Sequence, residues 1–222
     1  GTGRGAEHGV LFKNSVALER ATHLDTIVFD KTGTLTEGKP QVVNIIPLGT
    51  RIHDDTEVLQ LAATVEAGSE HPLGRAILKE AQASGLMVGE PDDFRAHGGM
   101  GVQAQVNGQQ VYAGKPGWFS SLGIALDGHR DRIEALQEEG KTVIVVGTDG
   151  KPAGLIALAD TLKPQSREAV LELQRMGLQV VMLTGDNQQT ARAIADELNI
   201  EEVFAEVQPD QKSQKIQELQ NS

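Results

Sequence analysis

Cysteine is absent from the 222 residues. That excludes disulfides, thiolate metal sites and cysteine nucleophiles. No apolar run approaches the roughly 18 residues that a membrane-spanning helix needs. Basic residues are scarce: 20 Lys and Arg stand against 31 Asp and Glu, for a net charge of −11. Without basic blocks, such a chain is a poor partner for nucleic acid. Nucleotide remains open, because it needs only a few local donors. The six His are scattered and form no zinc-ligand spacing. The sequence opens Gly1-Thr2-Gly3, with neither Met nor a signal-like segment, and is expected to be an excised piece of a longer protein. Its length allows one large domain or two modest ones, and 39% hydrophobic residues suffice for a core.

What is present centres on Ile27-Val28-Phe29-Asp30-Lys31-Thr32-Gly33-Thr34. Three apolar residues read as the end of a buried strand. An Asp follows directly, then a turn-forming run. Asp and Gly after a strand are common turn formers. Yet α/β folds also place their chemistry at the carboxyl ends of strands.

Around this stretch the chain changes style twice. The first crossing is placed near Lys39-Pro40, before a strand at Val42–Ile46. Helices are predicted from Thr56 to Ala67 and from His71-Pro72 to about Ala83, where Pro72 suits a first helical turn. Phe94 and Arg95 lead to His97-Gly98-Gly99-Met100-Gly101. The alternating Val102, Ala104 and Val106 then meet Asn107-Gly108, a strong hairpin signal, with Gln110–Ala113 as partner strand. Trp118 and Phe119 read as packing residues, with adenine stacking as the alternative. A helix at Asp131–Glu139 and strands at Lys141–Val146 and Ala153–Leu158 complete an antiparallel α+β unit over residues 41–155.

From there helices alternate with apolar strands, which indicates a parallel sheet. A helix is predicted from Thr161 to Met176. A strand at Gln179–Leu183 ends in Thr184-Gly185-Asp186-Asn187. Further helices cover Gln188–Leu198 and Gln208–Gln220, the last carrying Lys212 near its start. The strand ending at Phe29 joins this sheet. Residues 1–40 and 156–222 then form one domain and residues 41–155 an insertion. Near the start, Val10–Phe12 reads as a short strand and Val16–Arg20 as a turn or two of helix.

Asp30 and Thr184 both follow apolar strands, so a parallel sheet can bring them to one edge. A carboxylate there is a nucleophile. Thr184 offers a hydroxyl donor, Gly185 allows close backbone approach, and a lysine such as Lys212 can neutralise a pentavalent phosphoryl group. Taken alone, Lys212 reads as a solvated helix lysine.

The stretch Asp30-Lys31-Thr32-Gly33-Thr34 resembles the phosphorylation motif of P-type ATPases, within the haloacid-dehalogenase-like superfamily. Thr184-Gly185-Asp186-Asn187, Pro209-Asp210-Gln211-Lys212 and Asp160-Thr161-Leu162-Lys163-Pro164 resemble later motifs of that family. Ser69-Glu70-His71-Pro72-Leu73 and Gly99-x-Gly101 resemble the nucleotide-domain motifs of its heavy-metal-transporting branch. The opening glycines and Gly9-Val10-Leu11-Phe12-Lys13 resemble the segment that joins a membrane helix to the phosphorylation domain.

The resemblance implies a Rossmann-type α/β fold with an inserted nucleotide-binding domain. It implies that Asp30 takes phosphate from ATP, with Lys31, Thr32, Thr184, Gly185, Asp186 and Lys212 around it. Mg²⁺ would be held by Asp30 and the Thr32 carbonyl. Glu66, His71, Gly99 and Gly101 would hold the nucleotide, with His71 and Glu66 on adenine. Read by itself, His71 is a core histidine capping its own helix. Related phosphatases carry a second Asp where this chain has Thr32; a threonine cannot relay a proton there at neutral pH, so an aspartyl phosphate should persist.

In the family a Gly-Asp-Gly-x-x-Asn-Asp motif follows the lysine helix and completes the Mg²⁺ site. It lies outside these residues, so weak or no phosphorylation is expected of this piece. The whole would be the monomeric cytoplasmic part of a metal-exporting membrane ATPase, working with transmembrane and actuator domains. Copper is favoured on family grounds only, since the membrane residues that select the metal are not in this sequence. The alternatives are a free-standing phosphatase of the superfamily and a non-catalytic nucleotide-binding regulatory module. Thr32 and the insertion argue against the phosphatase.

Overall fold

The computed structural model describes residues 9, 14, 16, 19, 21–49, 54–208 and 211–220. The expected strand at Val10–Phe12 and most of the helical turn after it lie outside them. Strand β1 (Thr26–Asp30) ends on the aspartate. An irregular turn follows over Lys31–Leu35, in which Thr32 is extended and Gly33 takes φ +77°. Glycine adopts that conformation without steric cost.

The chain then enters β2 (Gln41–Pro47). Helix α1 (Asp55–Glu66) is capped by the Asp54 carboxylate, which accepts from the Thr56 N–H at 3.0 Å. Helix α2 (Pro72–Ala83) has His71 as its cap. Strands β3 (Asp92–His97), β4 (Gly101–Val106) and β5 (Gln109–Gly114) follow. The Val106–Gln109 pair closes the β4–β5 hairpin over Asn107-Gly108, both at positive φ. This is the primed turn that the dipeptide favours. Short α3 (Pro116–Ser121), α4 (Arg130–Glu138), β6 (Thr142–Thr148) and β7 (Lys151–Ala159) complete the insertion.

These strands form a six-stranded antiparallel sheet in the order β2-β7-β6-β5-β4-β3. Alternation along its central strands splits the core between two faces. Ile144, Val146, Ile156 and Leu158 join Val58, Ala62 and Ile77 under α1 and α2. Val143, Val145, Leu155 and Ala157 join Phe119, Ile133 and Leu136 under α3 and α4.

The chain returns through α5 (Ser166–Arg175), β8 (Gln179–Leu183), α6 (Gln188–Leu198), β9 (Glu202–Phe204) and α7 (Lys212–Gln220). Here β1, β8 and β9 form a parallel sheet with β8 in the middle. Phe29, Leu35, Val170, Met182, Ala191, Ala195 and Leu198 make its core. The protein is therefore mixed α/β, with a parallel sheet and a separate antiparallel one. Among the described residues, no helix is long and apolar enough to cross a membrane.

Two elements differ from expectation. The helix predicted from Thr161 begins only at Ser166. Thr161–Lys163 is held in extended form instead: Leu162 bridges Thr36, and the Lys163 N–H donates to Leu35 O at 2.9 Å. Pro164 also disfavours helical geometry in the residue before it. Second, Asp92–His97 is a strand, although its exposed and mostly polar sequence shows no apolar alternation. It is an edge strand whose pairing with β4, rather than its own pattern, makes it one.

The last strand of the insertion runs to Ala159, past the expected limit near 155. The two chain crossings lie side by side. Glu37 N donates to Thr161 O at 2.9 Å, and Lys39 N donates to Asp160 Oδ1 at 3.0 Å. The insertion also touches the parallel unit directly, where the Thr190 hydroxyl donates to Lys141 O at 2.8 Å.

Candidate active site

The register of the parallel sheet sets the site. Asp30 pairs with Leu183, so Lys31 and Thr184 leave the same edge together. Asp30 Oδ2 lies 2.6 Å from Lys212 Nζ, across 182 sequence positions. The Asp30 side chain is 44% exposed, open to a substrate while it is held by the ammonium. Lys31 points elsewhere. It is buried, and its ammonium forms an ion pair with Asp186 Oδ2 at 2.5 Å, without hydrogen-bond alignment.

The loop after Asp30 is held by residues far along the chain. Thr36 is fully buried, and its hydroxyl donates to Asp160 Oδ2 at 2.5 Å while accepting from the Gly33 N–H at 3.3 Å. Lys163 Nζ donates to Gly33 O at 2.7 Å, and Ser166 Oγ to Leu35 O at 2.7 Å. Asp160 and Lys163 are thus supports of this loop. Thr32 and Thr34 are left exposed on it.

Thr184 is buried, and its Oγ1 accepts from the Asp186 N–H at 3.1 Å. That fixes the oxygen and leaves the hydroxyl proton available to an acceptor. Backbone bonds from Val207 N to Thr184 O and from Glu206 N to Asp186 O tie this loop to the chain leading to α7. Asp30, Lys31, Thr184, Gly185, Asp186 and Lys212 are therefore brought together. Pro209 and Asp210 lie outside the described residues.

In the insertion, His71 caps α2 with its ring: Nδ1 accepts from the Leu73 N–H at 3.2 Å. An accepting Nδ1 leaves the proton of the neutral ring on Nε2, so His71 presents a donor outward. The residue is exposed overall. Desolvation on its packed side, with the charge of Lys115, holds its pKa below the ordinary value, while Asp186 opposes this. His71 therefore senses groups on both units.

Glu66 is buried, and its Oε2 has no hydrogen-bond partner among the described residues. Burial raises its pKa, opposed by a hydrogen bond to Ser69. It lies against the first turn of α2, where Gly74 makes the room. A Cβ at Gly74 would come within 2.3 Å of that oxygen. A raised carboxyl makes the native state bind protons more tightly than the unfolded chain. Stability is thus full below the ordinary value of 4.5 and falls as pH rises towards the native pKa. Glu66→Gln should remove this dependence. In urea titrations, the variant's stability relative to the unaltered chain should rise as pH climbs from 4.5. A constant difference would count against a strained buried carboxyl.

Gly99 has φ +71°, and a Cβ there would sit 3.7 Å from the Gln208 side chain. It faces the other unit. Gly101 is different: a Cβ would lie 2.4 Å from Ala113 O, 2.6 Å from Gly114 Cα and 2.7 Å from the Trp118 ring. Gly101 is expected to help hold the nucleotide, but the space on its side-chain side is filled by the protein itself. Trp118 is buried, 5.0 Å from His97 and in edge contact with Phe119 between ring centroids. Both aromatics are packing residues.

Sequence reasoning passed over Thr36, Gly74, Lys115 and Gln208. Of these only Thr36, two residues past the phosphorylation-like Asp30–Thr34 stretch, had a local signal. The others gain significance from long-range contacts alone.

Residues 24–222 match the family model described as haloacid dehalogenase-like hydrolase. The chain belongs to that family. Over 221 residues it is 45% identical to a probable copper-transporting ATPase, PacS, of Synechococcus elongatus, covering 100% of this chain and 30% of that protein. It is likewise 45% identical to a copper-exporting P-type ATPase of Bacillus subtilis, covering 99% of this chain and 27% of that protein. The chain thus spans less than a third of these relatives' length. Among solved structures, the catalytic domain of the CPx-ATPase CopB-B superposes with a TM-score of 0.72 at 28% identity, over 99% of this chain and 76% of that one. A zinc-transporting PIB-type ATPase in its E2.Pi state gives 0.68 at 38% identity, over 99% and 35%. The likeness to heavy-metal-transporting P-type ATPases, seen first in the motifs, therefore extends over the whole chain.

Proposed function

We propose that this chain is the ATP-binding and phosphorylation unit of a copper-exporting P-type ATPase. It would lie on the cytoplasmic side and work with transmembrane and actuator domains. Residues up to 40 and from about 160 onward form the phosphorylation domain, and the six-stranded insertion holds the nucleotide through His71, Glu66 and the Gly99 turn. The observation that carries this reading is the meeting of Asp30 and Lys212 at one sheet edge, beside the Thr184 hydroxyl.

In this reading an Asp30 oxygen attacks the γ-phosphorus of ATP. A new O–P bond forms as the bond to the bridging oxygen breaks, and ADP leaves with that electron pair. Lys212 and the Thr184 hydroxyl stabilise charge on the transferring group. Water later cleaves the aspartyl phosphate and restores the carboxylate. Thr32 offers no acid or base for that second step, which suits an intermediate that must last long enough to drive transport.

Mg²⁺ fits the donor set of one carboxylate, Asp30, and the Thr32 carbonyl, both hard oxygens. Phosphate oxygens, and the aspartates of the family motif that follows the lysine helix, would complete the shell. When bound, the ion neutralises phosphate charge. The test is to incubate the full-length ATPase with terminally labelled ATP and Mg²⁺, quench in acid and map the label. Acid-stable, alkali-labile phosphate on Asp30 is expected; label on a hydroxyl residue would overturn the reading. Repeating the assay across metal ions identifies the cargo, with copper expected to stimulate most.

A further inference from the structure

Lys115 follows β5 directly and is the cap residue of α3. Its backbone N–H donates to Met100 O at 2.8 Å, which fixes it beside the Gly99 turn. Its side chain leaves the insertion altogether. Nζ donates to Gly185 O at 3.2 Å, on the loop that carries Thr184 and Asp186. The same ammonium lies close enough to His71 to act on its ring. Lys115 therefore stands between the candidate nucleotide residues and the candidate phosphorylation site.

The other lysines near this loop are committed. Lys31 pairs with Asp186, Lys212 with Asp30, and Lys163 holds the Gly33 carbonyl. Lys115 has no carboxylate partner among the described residues. A neutral carbonyl is a modest partner for an exposed ammonium, whereas a phosphate oxygen makes a short, charge-assisted bond.

We propose that Lys115 grips the polyphosphate of the nucleotide, exchanging the Gly185 carbonyl for a phosphate oxygen, and so steers the terminal phosphate from His71 towards Asp30. This rests on the nucleotide reading of the insertion. The role is one of positioning: Lys115 belongs to the unit that holds the base, yet reaches the loop beside the nucleophile. A lysine suits it, because four flexible methylenes let a point charge follow a mobile phosphate chain.

The test is calorimetric titration of the 222-residue chain with ATP and, separately, with adenosine. Lys115→Gln should weaken ATP binding about tenfold, the loss of one charge-assisted contact, and leave adenosine binding unchanged. Lys115→Arg should keep most of the ATP affinity. Lys115 is exposed, so both variants should fold, which circular dichroism checks. Unchanged ATP affinity in Lys115→Gln overturns the proposal. So does an equal loss for ATP and adenosine, which would mark a packing defect. An unaltered chain that binds neither ligand overturns the nucleotide reading itself.

Discussion

Asp30→Asn in the full-length ATPase should abolish the acid-stable phosphoenzyme, lowering ATP turnover by about 10⁴-fold or more. The amide keeps the shape of the side chain and can still accept from Lys212. What it lacks is the anionic oxygen that would bond to phosphorus in the proposed transfer. ATP affinity should hold or rise, because a negative charge facing the terminal phosphate has been removed. That separation of effects is the decisive part. Asp30 sits on the parallel sheet, while His71, Glu66 and Gly99 sit on the insertion. A variant that still carries label after acid quench would sink the nucleophile assignment. One that loses ATP binding together with label would show that the two sites are not divided between the two units.

Lys212→Met should reduce phosphorylation by about 10²–10³-fold, the usual cost of removing one preorganised charge from a transition state. Its effect on stability should be small, within about 1 kcal/mol, since the Lys212–Asp30 pair is 28% and 44% exposed and water screens it. A merely structural salt bridge gives the opposite pattern: lost stability and unchanged chemistry. Measuring the melting temperature and the rate of label incorporation on one preparation distinguishes them. Full-rate phosphorylation of Lys212→Met would remove the lysine from the mechanism.

The same pair shows why local reading stops where it does. Lys212 read alone is an ordinary helix lysine, and only its motif likeness marked it. Its partner lies 182 positions away, and contact depends on β1 and β8 pairing in parallel and on α7 folding back over that edge. The split of two lysines between two aspartates, Lys31 with Asp186 and Lys212 with Asp30, could not be assigned from neighbours in the chain.

Local chemistry by itself determined a good deal. An apolar run ending in Asp30 had to be a strand with a polar end. Asn107-Gly108 between alternating valines had to be a tight hairpin, because those residues tolerate positive φ. Pro72 after His71 suited the first turn of a helix, and in the structure His71 caps it. Each of these depends on atoms within a few positions of one another. Tertiary structure decided the rest. It turned polar Asp92–His97 into a strand by giving it β4 to pair with, and kept Thr161–Lys163 extended by supplying Leu35 and Thr36. It filled the space beside Gly101 with Trp118, and it carried Lys115 from the insertion to Gly185 on the other unit. The physical reason is range. Dihedral preference and capping act over about one helical turn, whereas burial, ion pairing and strand pairing act between whichever residues the folded chain brings together.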